Sequence, residues 1–283
     1  MNTPKGKFII SIDLEYAWGY VDRDVSPRQK EKIRGETKII NRLLALFDQY
    51  EIPATWAVVG KLLEEGDDPL WHDVDDVVGK IQNARVGHEI GSHSYAHIVY
   101  GESSRDEIEQ DIERAREIHA EHDLPFDSFV FPRNSERGHD MLKKSGIITY
   151  RGKRKRWYEG LPDILRRFIH LKSYGIPFAA TVLPSRHASG LINIPDSMLL
   201  IGRNGVRRLI FPPLIKLKAT NGLRRAMRRG EIFHLWFHPS NFSYDTETQF
   251  DIFESILREA DRLRSRGTLE IDTMGGVARN LDI

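Results

Sequence analysis

Along this chain two spacings of apolar residues alternate, and each change of spacing marks a change of element. Residues 8–14 form a β-branched and apolar run with a polar tail, which predicts a buried first strand with a functional tip. Over 37–50 the apolar residues Ile39, Ile40, Leu43, Leu44, Leu46 and Phe47 fall at helical spacing. A second strand is expected over 53–59, ended by Gly60, then a weaker helix near 67–80 and a third short strand. Ser103 or Ser104 followed by Glu107 makes a capping box for a charged helix reaching about His122. The pattern then predicts a strand over 128–131 stopped by Pro132, a helix over 136–145 and a strand over 147–150. Near the C-terminus it predicts a helix over 215–229, a strand over 231–237, a long amphipathic helix over 246–266, a strand over 269–271 and a terminal helix. Residues 151–218 are less regular, with a helix expected around 162–172 and a loop centred on Ile194, Pro195 and Asp196. Strands that alternate with helices predict a parallel sheet covered by helices, either a (β/α) barrel or an open sheet.

Composition narrows this picture. A chain of 283 residues, 40% apolar, is the size of one α/β barrel, so 1–283 is expected to be a single domain with an embellishment around 151–230. There is no cysteine, so a transition-metal site must use His, Asp and Glu. The apolar run at 8–12 is too short for a signal segment, and no run approaches the ~18 residues of a membrane span, which makes a cytoplasmic protein the expectation. The net charge of +1 conceals an asymmetry: residues 151–230 carry 18 Lys and Arg against Glu159, Asp163 and Asp196, a local +15 against −14 elsewhere. Such a lobe is either a solvated surface or a face for an anion. No nucleic-acid-binding motif accompanies it, so nucleic acid is not expected as a partner.

Chemistry-bearing residues collect at the predicted strand ends. Asp13 and Glu15 are two apart and share a face if the strand continues. His93 and His97 are four apart, a spacing at which two imidazoles can face one ion. His88-Glu89 followed by His93 resembles the zinc-protease pattern only superficially, because the histidines are five apart and Gly91 weakens the required helix, so His88 reads as support. On the 231–237 strand His234, Trp236 and His238 share a face; His238 sits at the end that lines an active-site mouth, and His234 reads as a core residue. Arg133, just past another strand end, can reach the same mouth and pair with a carboxylate.

Together these segments resemble the polysaccharide deacetylase family, also called carbohydrate esterase family 4 or the NodB-homology domain. Residues 87–97, GHEIGSHSYAH, resemble its second motif, Asp13-Leu14-Glu15 the first, Phe131-Pro132-Arg133-Asn134 the third and Leu235-Trp236-Phe237-His238 the last. The resemblance implies a distorted (β/α) barrel of seven or eight units with a divalent metal, usually zinc, cobalt and manganese being alternatives. It also implies Glu15, His93 and His97 as metal ligands, Asp13 as catalytic base, Arg133 as its orienting partner and His238 as general acid. The departures are a leucine between the two acids, an arginine that follows its proline, and no aspartate and tryptophan matching the fourth motif beyond Trp157. The implied substrate is an N-acetylated or N-formylated amino sugar, and the basic lobe favours an anionic one, nucleotide- or lipid-linked, with peripheral membrane contact in the lipid-linked case. A metal-dependent hydrolase of a cyclic imide or ureide, and a carbohydrate-binding barrel without activity, are the alternatives.

Overall fold

The computed structural model describes residues 5–154, 160, 162 and 176–281. Ten strands make one sheet in the order β6-β7-β5-β4-β3-β2-β1-β9-β8, and β10 pairs with the first half of β1. They span β1 Gly6–Leu14, β2 Thr55–Val58, β3 Glu89–Ser92, β4 Ser128–Val130, β5 Thr149–Arg151, β6 Ser185–Arg186, β7 Ile192–Asn193, β8 Met198–Leu199, β9 Ile232–Phe237 and β10 Leu269–Asp272. Every pairing is parallel except β6 with β7. The result is a mixed α/β half-barrel, as the alternation of strand and helix predicts.

β1 is the central strand, flanked by β9 along Lys7–Ile12 and by β2 along Ser11–Leu14. Its side chains from Phe8 to Leu14 are all buried, so it reads as a near-continuous apolar run rather than an alternating one. The alternation persists in what each face touches. Phe8, Ile10, Ile12 and Leu14 enter the large core beneath the helices, whereas Ile9 packs inside the sheet's curve with Ala57, Val130, Ile194 and Ile232. Ser11 and Asp13 share the inner face with Ile9.

The helices covering the sheet include α1 Pro27–Arg34, α2 Glu36–Tyr50, α3 Val77–Gln82, α4 Arg105–Glu121, α5 His139–Lys144, α6 Pro212–Arg229, α7 Thr246–Ser265 and α8 Met274–Arg279. The expected capping box is present on α4, where Ser104 Oγ accepts from the Glu107 N–H and Glu107 accepts from the Ser104 N–H. The helix expected around 162–172 lies, apart from Pro162, outside the described residues, as does Trp157. Because the strands run parallel, the carboxyl ends of β1 to β5 and of β9 open at one end of the sheet, where α/β folds place their ligands.

Three histidines are built into the interior in neutral form. His88 Nδ1 accepts from the Ala54 N–H at 3.1 Å, His119 Nδ1 bonds the Pro125 carbonyl at 2.8 Å, and His234 is fully enclosed behind β1. Burial pushes each down to about 4. A folded-state value below the ordinary 6.5 means that the stability tied to each histidine is complete above about 6.5 and is lost as pH falls toward 4. Thermal melts across that window should therefore show a steep loss of stability, on the order of 3 kcal/mol for one such histidine. In a His119→Gln variant the slope should be shallower.

Candidate active site

The strand that supplies Asp13 ends one residue later. Glu15 has φ −132° and ψ −14° and begins a 3-10 turn over Tyr16–Tyr20, with Tyr16 at φ 43°. Asp13 and Glu15 thus share a pocket because the chain turns, and not because the strand continues. Gly19 makes room for this arrangement: a Cβ there would stand 2.2 Å from Glu15 Oε1. Asp13, Glu15, His93, His97 and His238 all line one open cavity of about 330 Å³, together with Arg133 and Trp236.

The histidine segment leaves β3 at Ser92 and folds into a loop in which Ser94 and His97 take left-handed backbone, φ 67° and 56°. Conformations this uncommon need outside support. Asp111 of α4 provides it, accepting the Tyr95 N–H at 3.0 Å, the Ala96 N–H at 2.9 Å and the Tyr100 hydroxyl at 2.9 Å. From the other side the Gly60 and Lys61 N–H groups donate to the Ser94 and Tyr95 carbonyls, both at 2.9 Å. The loop can therefore present both imidazoles inward.

His93 Nδ1 donates to the Val130 carbonyl at 2.8 Å, which fixes the tautomer and leaves the Nε2 lone pair facing the pocket. One oxygen, Glu15 Oε2, stands 3.5 Å from His93 Nε2 and 3.0 Å from His97 Nε2. Glu15, His93 and His97 are the one group of metal-ligand type found among the described residues, with donor atoms all within 4.8 Å of one another. The donor set, two imidazoles and a carboxylate on a half-open cavity, suits a divalent cation with a coordination position to spare. Burial alone would raise Glu15, but His238, His93 and His97 outweigh it and hold the carboxyl well below its usual range. Burial pushes His97 below 6.5, with His93 and Arg133 adding to the effect, while burial of His93 is outweighed by Glu15 and Asp13.

Asp13 has a partner that the sequence reading did not name. Arg151, the last residue of β5, is 1% exposed and grips Asp13 in a bidentate pair, Nη1 to Oδ1 and Nη2 to Oδ2, both 2.7 Å. Burial would raise Asp13, yet Arg151, His93 and His238 hold it below its ordinary value. The expectation that Arg133 pairs with Asp13 is corrected. Arg133 follows Pro132 into left-handed backbone, φ 55°, and its guanidinium is carried outward to the Gly19 carbonyl at 3.0 Å and Asp22 at 2.7 Å.

Behind this pair runs a chain of hydrogen bonds. His234 Nδ1 donates to the Pro195 carbonyl at 3.2 Å, its Nε2 accepts from Ser11 Oγ at 2.8 Å, and Ser11 Oγ accepts from Arg151 Nη1 at 3.0 Å. The neutral state of His234 is what lets Nε2 accept. His234 is thus a core residue, as expected, with a positioning role as well. His238 closes the mouth, with Nε2 3.4 Å from Glu15 Oε1 and 3.7 Å from Asp13 Oδ2. Trp236 lies 5.7 Å from the His238 ring, and its Nε1–H donates to buried Asp196 at 3.3 Å. The same indole carries the Arg151 guanidinium on its other contact, 4.3 Å from the ring centroid.

Residues 32–143 match the family model for polysaccharide deacetylase. Over that stretch the chain is similar to the polysaccharide deacetylase family. The reaction of that family is hydrolysis of a carbon–nitrogen bond other than a peptide bond. No curated protein matches the chain by sequence. Solved structures are similar over nearly its whole length. A protein from Mycobacterium smegmatis assigned to the polysaccharide deacetylases aligns at TM-score 0.70 and 16% identity, covering 99% of this chain and 92% of that one. PuuE allantoinase aligns at 0.66 and 12%, covering 98% and 93%, and a Pseudomonas aeruginosa PAO1 protein assigned to the polysaccharide deacetylases aligns at 0.64 and 13%, covering 98% and 94%. At these identities the likeness is one of fold.

Proposed function

We propose that this protein is a metal-dependent hydrolase that removes an N-acetyl or N-formyl group from an amino sugar. The observation that carries the reading is the convergence of Glu15, His93 and His97 with an ionised Asp13 and with His238 on one cavity. Glu15, His93 and His97 would hold the cation, zinc being the first candidate. A divalent ion there supplies Lewis acidity for the amide carbonyl and for the attacking water.

The chain's own residues do the rest. Asp13, kept ionised by Arg151, takes the proton of the water as it adds to the carbonyl carbon. A backbone N–H steadies the developing oxyanion. Pro132 has no N–H and Asn134 donates its own to Phe131 at 2.9 Å, which leaves the Arg133 amide as the donor in that loop. His238, within reach of both carboxylates, delivers a proton to the departing amine. His238→Ala should lower kcat about 10² to 10⁴-fold, while metal content measured by elemental analysis stays at the wild-type level.

Acetate or formate release from N-acylated amino sugars, in the presence of added zinc or cobalt, tests the reading. An absence of release across free, nucleotide-linked and lipid-linked sugars would overturn it. A second reading, hydrolysis of a cyclic imide or ureide, is favoured by the glutamate at position 15 and by the fold shared with PuuE allantoinase. Turnover of such compounds in the same panel, with none of the sugars, would select it.

A further inference from the structure

Beside the catalytic cavity lies a second one of about 430 Å³, and one segment walls both: Ser240 and Asn241 face the first, Ser243, Tyr244 and Asp245 the second. Arg28 and Lys32 of α1 and Arg208 from the turn over Gly205–Leu209 place three cationic side chains around the second cavity. Its single acid, Asp245, is already engaged by Arg203 Nε and Thr248 Oγ1, both at 2.8 Å. Lys32 Nζ donates to the Ser243 carbonyl at 3.1 Å and lies over the Tyr244 ring. Neither the Arg28 nor the Arg208 guanidinium forms an ion pair among the described residues. Burial, and then the neighbouring Arg28, push Lys32 down to about 8 against the opposing Glu31.

The turn that supplies Gly205 and Arg208 to this cavity also carries exposed apolar residues. Across 205–211 Val206 is 64% exposed, Leu209 85% and Phe211 63%, and Arg207 and Arg208 lie between them. Exposed apolar side chains gathered on one short turn in this way mark a surface that meets something. Apolar tips interleaved with arginines suit a lipid–water boundary, the tips entering the acyl layer and the guanidinium groups staying at headgroup level. A protein partner would satisfy the apolar tips but would not account for the basic cavity that Gly205 and Arg208 of the same turn help to line.

We propose that the 205–211 turn rests on an anionic lipid surface and that the cavity of Arg28, Lys32 and Arg208 receives the phosphate of a lipid-linked amino sugar. This assignment of substrate class rests on the deacetylase reading, whereas the docking to lipid does not. No helix among the described residues is long and apolar enough to cross a membrane.

Sedimentation with vesicles tests the surface without turnover. The protein should bind vesicles of phosphatidylcholine with phosphatidylglycerol, more weakly at high salt and more weakly still on phosphatidylcholine alone. Leu209→Ser with Phe211→Ser should reduce partition about 100-fold, and Arg28→Ala with Arg208→Ala about 10-fold on the anionic vesicles only. Inorganic phosphate should raise the Tm of the wild type and leave that of the arginine pair variant unchanged. Equal vesicle binding by wild type and the Leu209/Phe211 variant would overturn the docking. So would a dimer abolished by the same two changes, since a second copy would then cover the patch. A phosphate-insensitive wild-type Tm would overturn the subsite. Because no readout needs catalysis, failure here leaves deacylation of a soluble sugar standing, and failure of the deacetylase reading leaves the vesicle results standing.

Discussion

Replacing Arg151 with methionine should destabilise the protein by about 3–5 kcal/mol, the usual consequence of stripping one partner from a buried ion pair. Asp13 is then left 2% exposed with no cation in hydrogen-bonding contact, and its carboxyl shifts upward because burial is opposed only by His93 and His238. An Asp13 that holds its proton more tightly and is no longer oriented by the guanidinium is a poorer base, so kcat should fall by about 10²-fold or more, as it does when a catalytic group is misplaced. Two companions separate this from a general loss of packing. Asp13→Asn combined with Arg151→Met removes both charges, and should recover most of the stability without recovering activity. Arg133→Met breaks a pair that is 36% and 53% exposed and should change stability by less than about 1 kcal/mol. Denaturant unfolding and kcat on the three variants decide the matter. If Arg133→Met proved as costly as Arg151→Met on both measures, the bidentate pair would not be what organises Asp13.

The contrast between those two arginines shows what is legible in the chain and what is not. β1, β9 and α7 are readable because burial imposes a period or a continuous apolar run over six residues or more. The box at Ser104 and Glu107 is readable because both halves of the contact lie within one turn. α1 is not, since Ile33 is its one buried residue and nothing periodic announces it. The two-residue strands β6, β7 and β8 are too short to display any period. At the site, the residues at strand tips and in the histidine loop stand out by type and spacing alone. Arg151 does not, because its meeting with Asp13 spans 138 positions and it sits at the head of a basic cluster that hides it. The signal was an arginine ending an apolar strand. Asp196 carried a similar one, being one of three acids within the basic stretch 151–230, yet nothing local ties it to Trp236.

The second large effect concerns the proposed ligand set, which is held as carefully as Asp13. The Val130 carbonyl orients His93, Asp111 clamps the loop that carries His97, and Gly19 leaves space for Glu15, so protein contacts bring the three donors together. Preorganisation of this kind predicts that a cation binds the folded state and stabilises it, by about 2.7 kcal/mol at a concentration 100 times its Kd. Zinc should raise the Tm of the wild type, and a chelator should reverse the shift. His93→Ala with His97→Ala should abolish both the shift and the bound metal measured by elemental analysis, and should lower activity by on the order of 10³-fold or more. In the absence of metal the same variant removes two partners that keep Glu15 ionised, so its stability should fall at neutral pH rather than rise. Glu15→Gln distinguishes the carboxylate's role. It keeps the shape and both imidazoles but loses the negative charge, so metal affinity should drop while the fold stays intact. Undiminished zinc binding in the double histidine variant would place the cation elsewhere and leave Glu15, His93 and His97 as a buried hydrogen-bonded cluster.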